Sequence, residues 1–151
     1  MRRHLLGMVA AGLAVGLWAL PARAALGPVI ASYGKWEVRR ATDLMTDQVA
    51  CLATYRGNNS IQLTRDTFYL RFGHAPRAYR YRIDDQPVSP MIATSRANAH
   101  ARIIALAGAA FGQIVRARRL RLEIVTLHDA AQFDIDLDGI AGAYGAVYYC
   151  R

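Results

Sequence analysis

Lysine is almost absent from this chain: of its nineteen Lys and Arg residues only Lys35 is a lysine, and of its eleven acids only Glu37 and Glu123 are glutamates. Cysteine occurs twice, at Cys51 and Cys150. Neither has a neighbouring histidine or a C-x-x-C partner, which argues against a free thiol nucleophile or a metal-ligand pair. Long apolar runs are scarce as well. Only Leu5–Leu20, sixteen residues, approaches the length that crosses a bilayer, so a polytopic membrane protein is excluded. Disorder is excluded from the other side, because 54% of the residues are apolar and a disordered chain needs low hydrophobicity with high charge.

With 151 residues the expectation is one domain behind a leader. Met1-Arg2-Arg3-His4 is a short basic start, Leu5–Leu20 an apolar run, and Pro21-Ala22-Arg23-Ala24 an end with small residues at alternate positions. That is the layout of a secretory signal peptide over residues 1–24, cut between Ala24 and Ala25. Arg2-Arg3 faintly resembles a twin-arginine signal, and the general secretory route is the expected one. Removing Arg2, Arg3 and Arg23 lowers the formal charge from +8 to +5. A basic excess of that size bears on solubility and on encounter with anionic surfaces, not on fold. The remaining chain divides into a lead-in, 25–34, and a β-rich domain, 35–151. Export implies an oxidising compartment, periplasmic or secreted. Two exported cysteines there read as one structural disulfide, Cys51–Cys150.

From Lys35 the hydropathy has period two. Trp36 and Val38 face one way and Glu37 and Arg39 the other; Val49, Cys51, Ala53 and Tyr55 follow after the polar break Asp43–Asp47. Gly57-Asn58-Asn59 is a hairpin signal, since both residue types tolerate the positive φ of tight turns. Ile61 and Leu63, then Phe68, Leu70 and Phe72, then Tyr79, Tyr81 and Ile83 continue the alternation. Arg102–Leu106 reads as a strand or a helix end, Gly108–Ala117 as a helix, and Arg119–Thr126 and Phe133–Leu137 as strands. A closing helix follows, with Asp138 at its N-cap and Ile140, Tyr144 and Val147 on its apolar stripe. The expected fold is mainly β, antiparallel and sandwich-like, with one or two short helices including a C-terminal one.

Motifs that carry chemistry are few. Asp134-Ile135-Asp136-Leu137-Asp138-Gly139 matches the opening of a calcium-binding EF-hand loop, but its twelfth position is Gly145 where that loop needs a bidentate glutamate. Asp134, Asp136 and Asp138 are therefore read as solvated carboxylates at the end of a strand, with a weak surface calcium site as the alternative. His74, His100 and His128 show no ligand spacing. No serine lies in G-x-S-x-G, and no phosphate-binding glycine loop occurs. Asp84-Asp85, neighbours on a strand or turn, do not face one another. A hydrolase or metal-dependent enzyme would have to assemble its site from these distant residues, and no cofactor is expected.

The arginines remain. Arg80 and Arg82 alternate with Tyr79 and Tyr81, while Arg116, Arg118, Arg119 and Arg121 cluster at a helix–strand junction. Alternation turns the tyrosines inward and the arginines to solvent, as a solvated basic face or a surface for an anionic ligand or acidic partner. Nucleic acid is not an expected partner outside the cytoplasm. The strand Gly34-Lys35-Trp36-Glu37-Val38, the Cys51 strand, Asp136-Leu137-Asp138-Gly139-Ile140, and the Ala143/Tyr144 helix with terminal Cys150 together partly resemble the invasion-associated locus B family. Periplasmic accessory proteins of type VI secretion (VasI-like) are a second comparison. The resemblance implies a non-enzymatic envelope protein with a β-sandwich core and no catalytic residues. The expectation is an accessory module that binds another envelope or secreted protein; the alternative binding role is inhibition of a secreted hydrolase, whose surface would have to be acidic.

Overall fold

The computed structural model describes residues 27–42 and 48–150. The expected leader and the break Asp43–Asp47 lie outside these residues. The described chain runs β1 (Val29–Tyr33), β2 (Trp36–Thr42), β3 (Val49–Tyr55), β4 (Asn58–Leu63), β5 (Thr67–Arg71), β6 (Ala78–Ile83) and β7 (Ile92–Ala93). It continues α1 (Arg96–Ala101), β8 (Ile103–Ala107), α2 (Gly108–Ile114), β9 (Arg119–Val125), β10 (Ala130–Asp136) and α3 (Ile140–Tyr148). The strands form a six-stranded sheet in the order β1-β2-β3-β4-β5-β8 and a four-stranded sheet in the order β10-β9-β6-β7. Every pairing is antiparallel. This is the expected mainly β architecture with a C-terminal helix.

Alternation places the core. In β2, Trp36 and Val38 are fully buried, and in β9 Leu120, Leu122 and Ile124 are buried while Arg119 is exposed. Residues from both sheets and from α2 and α3 join one apolar cluster. Trp36 is its largest member, meeting Tyr55 and Phe68 edge-on at ring separations of 5.5 and 6.1 Å. Phe72 and Phe133 meet at 5.3 Å and tie the end of β5 to the inner face of β10. The β3–β4 hairpin turns at Arg56-Gly57, with Gly57 at φ +77°, where the Gly-Asn-Asn signal stood.

Some elements differ from the expectation. Part of the lead-in, Val29–Tyr33, is edge strand β1, paired with β2 across the Gly34-Lys35 turn. Its burial has no period of two, so it carried no strand signal. Arg102–Leu106 resolves into β8, and the preceding α1 was not foreseen. Ser95 caps α1 by accepting the Asn98 N–H (3.2 Å), and Arg102 ends it in the left-handed region at φ 58°. β7 has two residues, too few for any period. At α3 the N-cap is Gly139, not Asp138. The carbonyl of Asp138 instead accepts the Lys35 N–H at 3.1 Å.

That bond belongs to a close approach of two backbones. Gly34 and Gly139 both have positive φ, +52° and +84°. A Cβ on Gly139 would collide with the Tyr33 carbonyl and lie 2.8 Å from Gly34 N, and one on Gly34 would lie 2.7 Å from Asp138 O. The first hairpin and the start of the last helix thus touch where only glycine fits. At its other end α3 is bound through Cys150 to Cys51 on β3, with Cα atoms 5.9 Å apart. Arg65 donates to the Tyr148 carbonyl (2.9 Å) and lies over the Tyr148 ring.

Chemical denaturation tests both attachments of α3. Gly139→Ala is expected to cost about 2–5 kcal/mol, from left-handed strain plus overlap with backbone that cannot yield. Gly57→Ala, with nothing within 4 Å of the added carbon, is expected to cost only about 1–2 kcal/mol. The bridge closes a sequence separation of 99. Cys51→Ser/Cys150→Ser is expected to lose about 2–5 kcal/mol, with no further loss on adding reductant.

Candidate functional site

The outer face of the four-stranded sheet carries the arginines. Antiparallel register sets three rungs across β6, β9 and β10: Arg80–Glu123–Gln132, Arg82–Arg121–Asp134, and Arg119–Asp136 beyond the end of β6. Because side chains alternate, all of these point away from the core formed by Tyr81, Leu122, Phe133 and their neighbours. A groove of about 360 Å³ lies on this face, bordered by Arg80, Arg82, Arg121, Glu123, Gln132 and Asp134, with Val88 at its rim. Val88 reaches the rim because Ser89 pairs with Tyr81 in both directions. Ser89 N–H donates to the Tyr81 carbonyl (2.8 Å), and Tyr81 N–H donates to Ser89 Oγ (3.0 Å).

Ion pairs orient most of these groups. Arg80 Nη2 donates to Glu123 Oε2 at 2.8 Å, and Gln132 Nε2 donates to the same oxygen at 3.1 Å. Arg119 grips both carboxylate oxygens of Asp134, Nε to Oδ1 at 2.6 Å and Nη2 to Oδ2. Arg82 turns toward the following loop, donating from Nε to the Gln86 carbonyl (3.0 Å), with the exposed Asp85 carboxylate 3.9 Å away. Arg121 has no hydrogen-bond or ion-pair partner among the described residues. The Arg80 hydrogen bond holds the Glu123 carboxyl below its ordinary range, with Gln132 adding to the effect. The Arg119 hydrogen bond does the same to Asp134, and the charge of Arg121 adds to it.

The sequence-based arginine surface is therefore divided. Arg80, Arg82, Arg119 and Arg121 share the outer face. Arg116 and Arg118 sit in the exposed connection before β9 and do not line the groove. The face is not simply basic, because Glu123, Asp134 and Asp136 interleave with the arginines. Glu123 lies two positions after Arg121 and so shares its outward face, but its meeting with Arg80 depends on strand register. Val88 had no sequence signal at all.

The other candidates are scattered. Asp84, in the left-handed region at φ 48°, accepts the N–H groups of Arg118 and Arg119 through one oxygen at 2.9 Å each, and so fastens the start of β9. Asp136 accepts the Asp138 N–H at 3.0 Å. Asp134 belongs to Arg119, so the three aspartates of the EF-hand-like run serve three local structures. His74, His100 and His128 are exposed on a loop after β5, on the last turn of α1 and on the β9–β10 turn. Among the described residues no three His, Cys, Asp or Glu side chains form a metal-binding group. The absence of a serine motif does not extend to S-x-x-K, whose spacing Ser32-Tyr33-Gly34-Lys35 has. That spacing aligns serine and lysine on a helix, whereas here it spans the end of β1 and a turn, with both residues exposed. A smaller concavity of about 190 Å³ lies among Ser60, Gln62, Tyr69, Arg71 and Ile103 on the six-stranded sheet.

Comparison with protein-family models, curated proteins and solved structures finds no match to this chain.

The carboxyl shifts set a pH dependence. Glu123 and Asp134 are harder to protonate folded than unfolded, so their contribution is present above their unfolded values and is lost as pH falls through the lower folded ones. Between about pH 5 and pH 2 the thermal midpoint is expected to fall. The fall is expected to be smaller in Glu123→Gln/Asp134→Asn, measured by thermal unfolding across that range.

Proposed function

We propose that this chain is an exported, non-enzymatic accessory protein that binds another envelope or secreted protein on the outer face of its four-stranded sheet. The observation that carries this reading is the groove between β6, β9 and β10, where strand-borne polar groups are oriented by ion pairs and one guanidinium is left over. Side chains fixed on strands lose little freedom on binding, and that favours recognition over a mobile surface. The Cys51–Cys150 bridge suits an oxidising compartment. No described helix is long and apolar enough to cross a membrane. The leader-like start and the partial resemblance to invasion-associated locus B proteins support the same reading.

A photoreactive residue at Val88, on the groove rim, is compared in living cells with one at Asn58, exposed in the β3–β4 hairpin. The expected outcome is one protein crosslinked from Val88 and not from Asn58, in a saturable manner. Equal crosslinking from both positions, or none from Val88, removes the proposal.

A further inference from the structure

The ion pairs on this face leave an imbalance at its middle rung. Arg82 and Arg121 lie directly opposite one another across β6 and β9, and like charges in that position repel. Asp134, opposite Arg121 on β10, relieves part of that repulsion through its charge, but both of its oxygens are hydrogen-bonded to Arg119 on the diagonal and none to Arg121. Glu123 is taken by Arg80 and Gln132 in the same way. Arg121 therefore stands in the groove with its donors unused by any described residue, beside a second arginine whose acid partner is a loosely held, exposed Asp85.

Resting on the docking reading above, we infer that the groove receives an acidic side chain of an extended partner segment, its carboxylate taken by Arg121 and flanked by Arg82. Across the three rungs Arg80, Arg82, Arg119 and Arg121 stand against Glu123, Asp134 and Asp136, a net charge of +1 that matches one carboxylate. A dianionic phosphate would exceed that charge and be repelled by the two flanking acids. The guanidinium fork fits a planar carboxylate with two parallel hydrogen bonds. The exposed Val88 on the rim offers apolar contact to the residues beside the acid. The occupant is thus an Asp- or Glu-bearing stretch of protein lying along the strands.

The test is fluorescence anisotropy of a fluorescein-labelled octaglutamate peptide titrated with the intact, disulfide-bonded protein at low salt. Saturable binding is expected, weakened about tenfold by Arg121→Gln, less by Arg121→Lys, and within about twofold of the parent in Arg118→Gln. Arg118→Gln removes the same charge outside the groove. Arg121→Lys keeps the charge on the strand and carries the test if the glutamine variant does not fold. Equal weakening by Arg118→Gln and Arg121→Gln would reduce the effect to net charge and overturn the inference. So would absence of saturable binding, or displacement of the peptide by inorganic phosphate at lower concentration than by acetate. Val88 crosslinks that persist in Arg121→Gln would overturn the carboxylate site and leave the docking face standing; loss of crosslinks from Val88 in the parent chain removes both.

Discussion

Helix α3 is held to the six-stranded sheet at both ends, and the closure of the core depends on that attachment. At its start Gly139 meets the Tyr33-Gly34 backbone, and at its end Cys150 is bonded to Cys51. Between them Ile140, Ala143 and Val147 are buried over β1, β2 and β3, on the face that carries Trp36, Val38 and Ala53. Each large side chain buried this way contributes about 1.5–3 kcal/mol. The helix has nine residues and contains Gly142 and Gly145. A segment that short would not be helical alone in water, and each glycine costs about 1 kcal/mol relative to alanine. Its small residues are explained by what they touch: Gly142 faces the Tyr33 ring, where no Cβ has room. The helix exists because it is docked, and the docked helix in turn shuts one half of the sheet.

The four-stranded sheet completes the remainder of the core with Tyr81, Leu122, Ile124, Phe133 and Ile135, and the same strands send charges outward. Inward packing and outward display are thus coupled by the pleat: a residue that moved by one position would trade places between the two. Fastening of Arg118 and Arg119 by Asp84 fixes where β9 begins, and with it which arginine faces which acid. The outer face is therefore set by strand register, which decides the rung each charge occupies. Its charges are mixed, with two ion-paired corners and a central arginine that no described residue hydrogen-bonds.

Much of the fold is legible in the residues themselves. Trp36 and Val38, the Tyr79–Ile83 alternation and Leu120, Leu122 and Ile124 announce their strands because one face of each is buried and the other wet. Gly57 announces its hairpin because few other residues hold its φ. β1 and β7 are silent for the opposite reasons, one lacking a buried face and the other too short. α1 is six residues with none buried, so it shows no apolar period. Asp138 looked like a cap because its chemistry suits one. The cap is Gly139 because Tyr33 stands where any side chain would go.

What the sequence alone determined is the pattern that neighbouring residues impose on one another: strand faces, outward arginines, and two cysteines able to pair. What only the tertiary structure decided is which of those outward residues meet. Arg80 finds Glu123 from 43 positions away, and Arg119 takes Asp134 from 15. Arg116 and Arg118, adjacent in sequence to the others, fall outside the groove. Hydropathy period is a property of one segment, whereas register is set between segments by the turns and the shared core. A site made of cross-strand pairs therefore becomes visible only when the strands are paired.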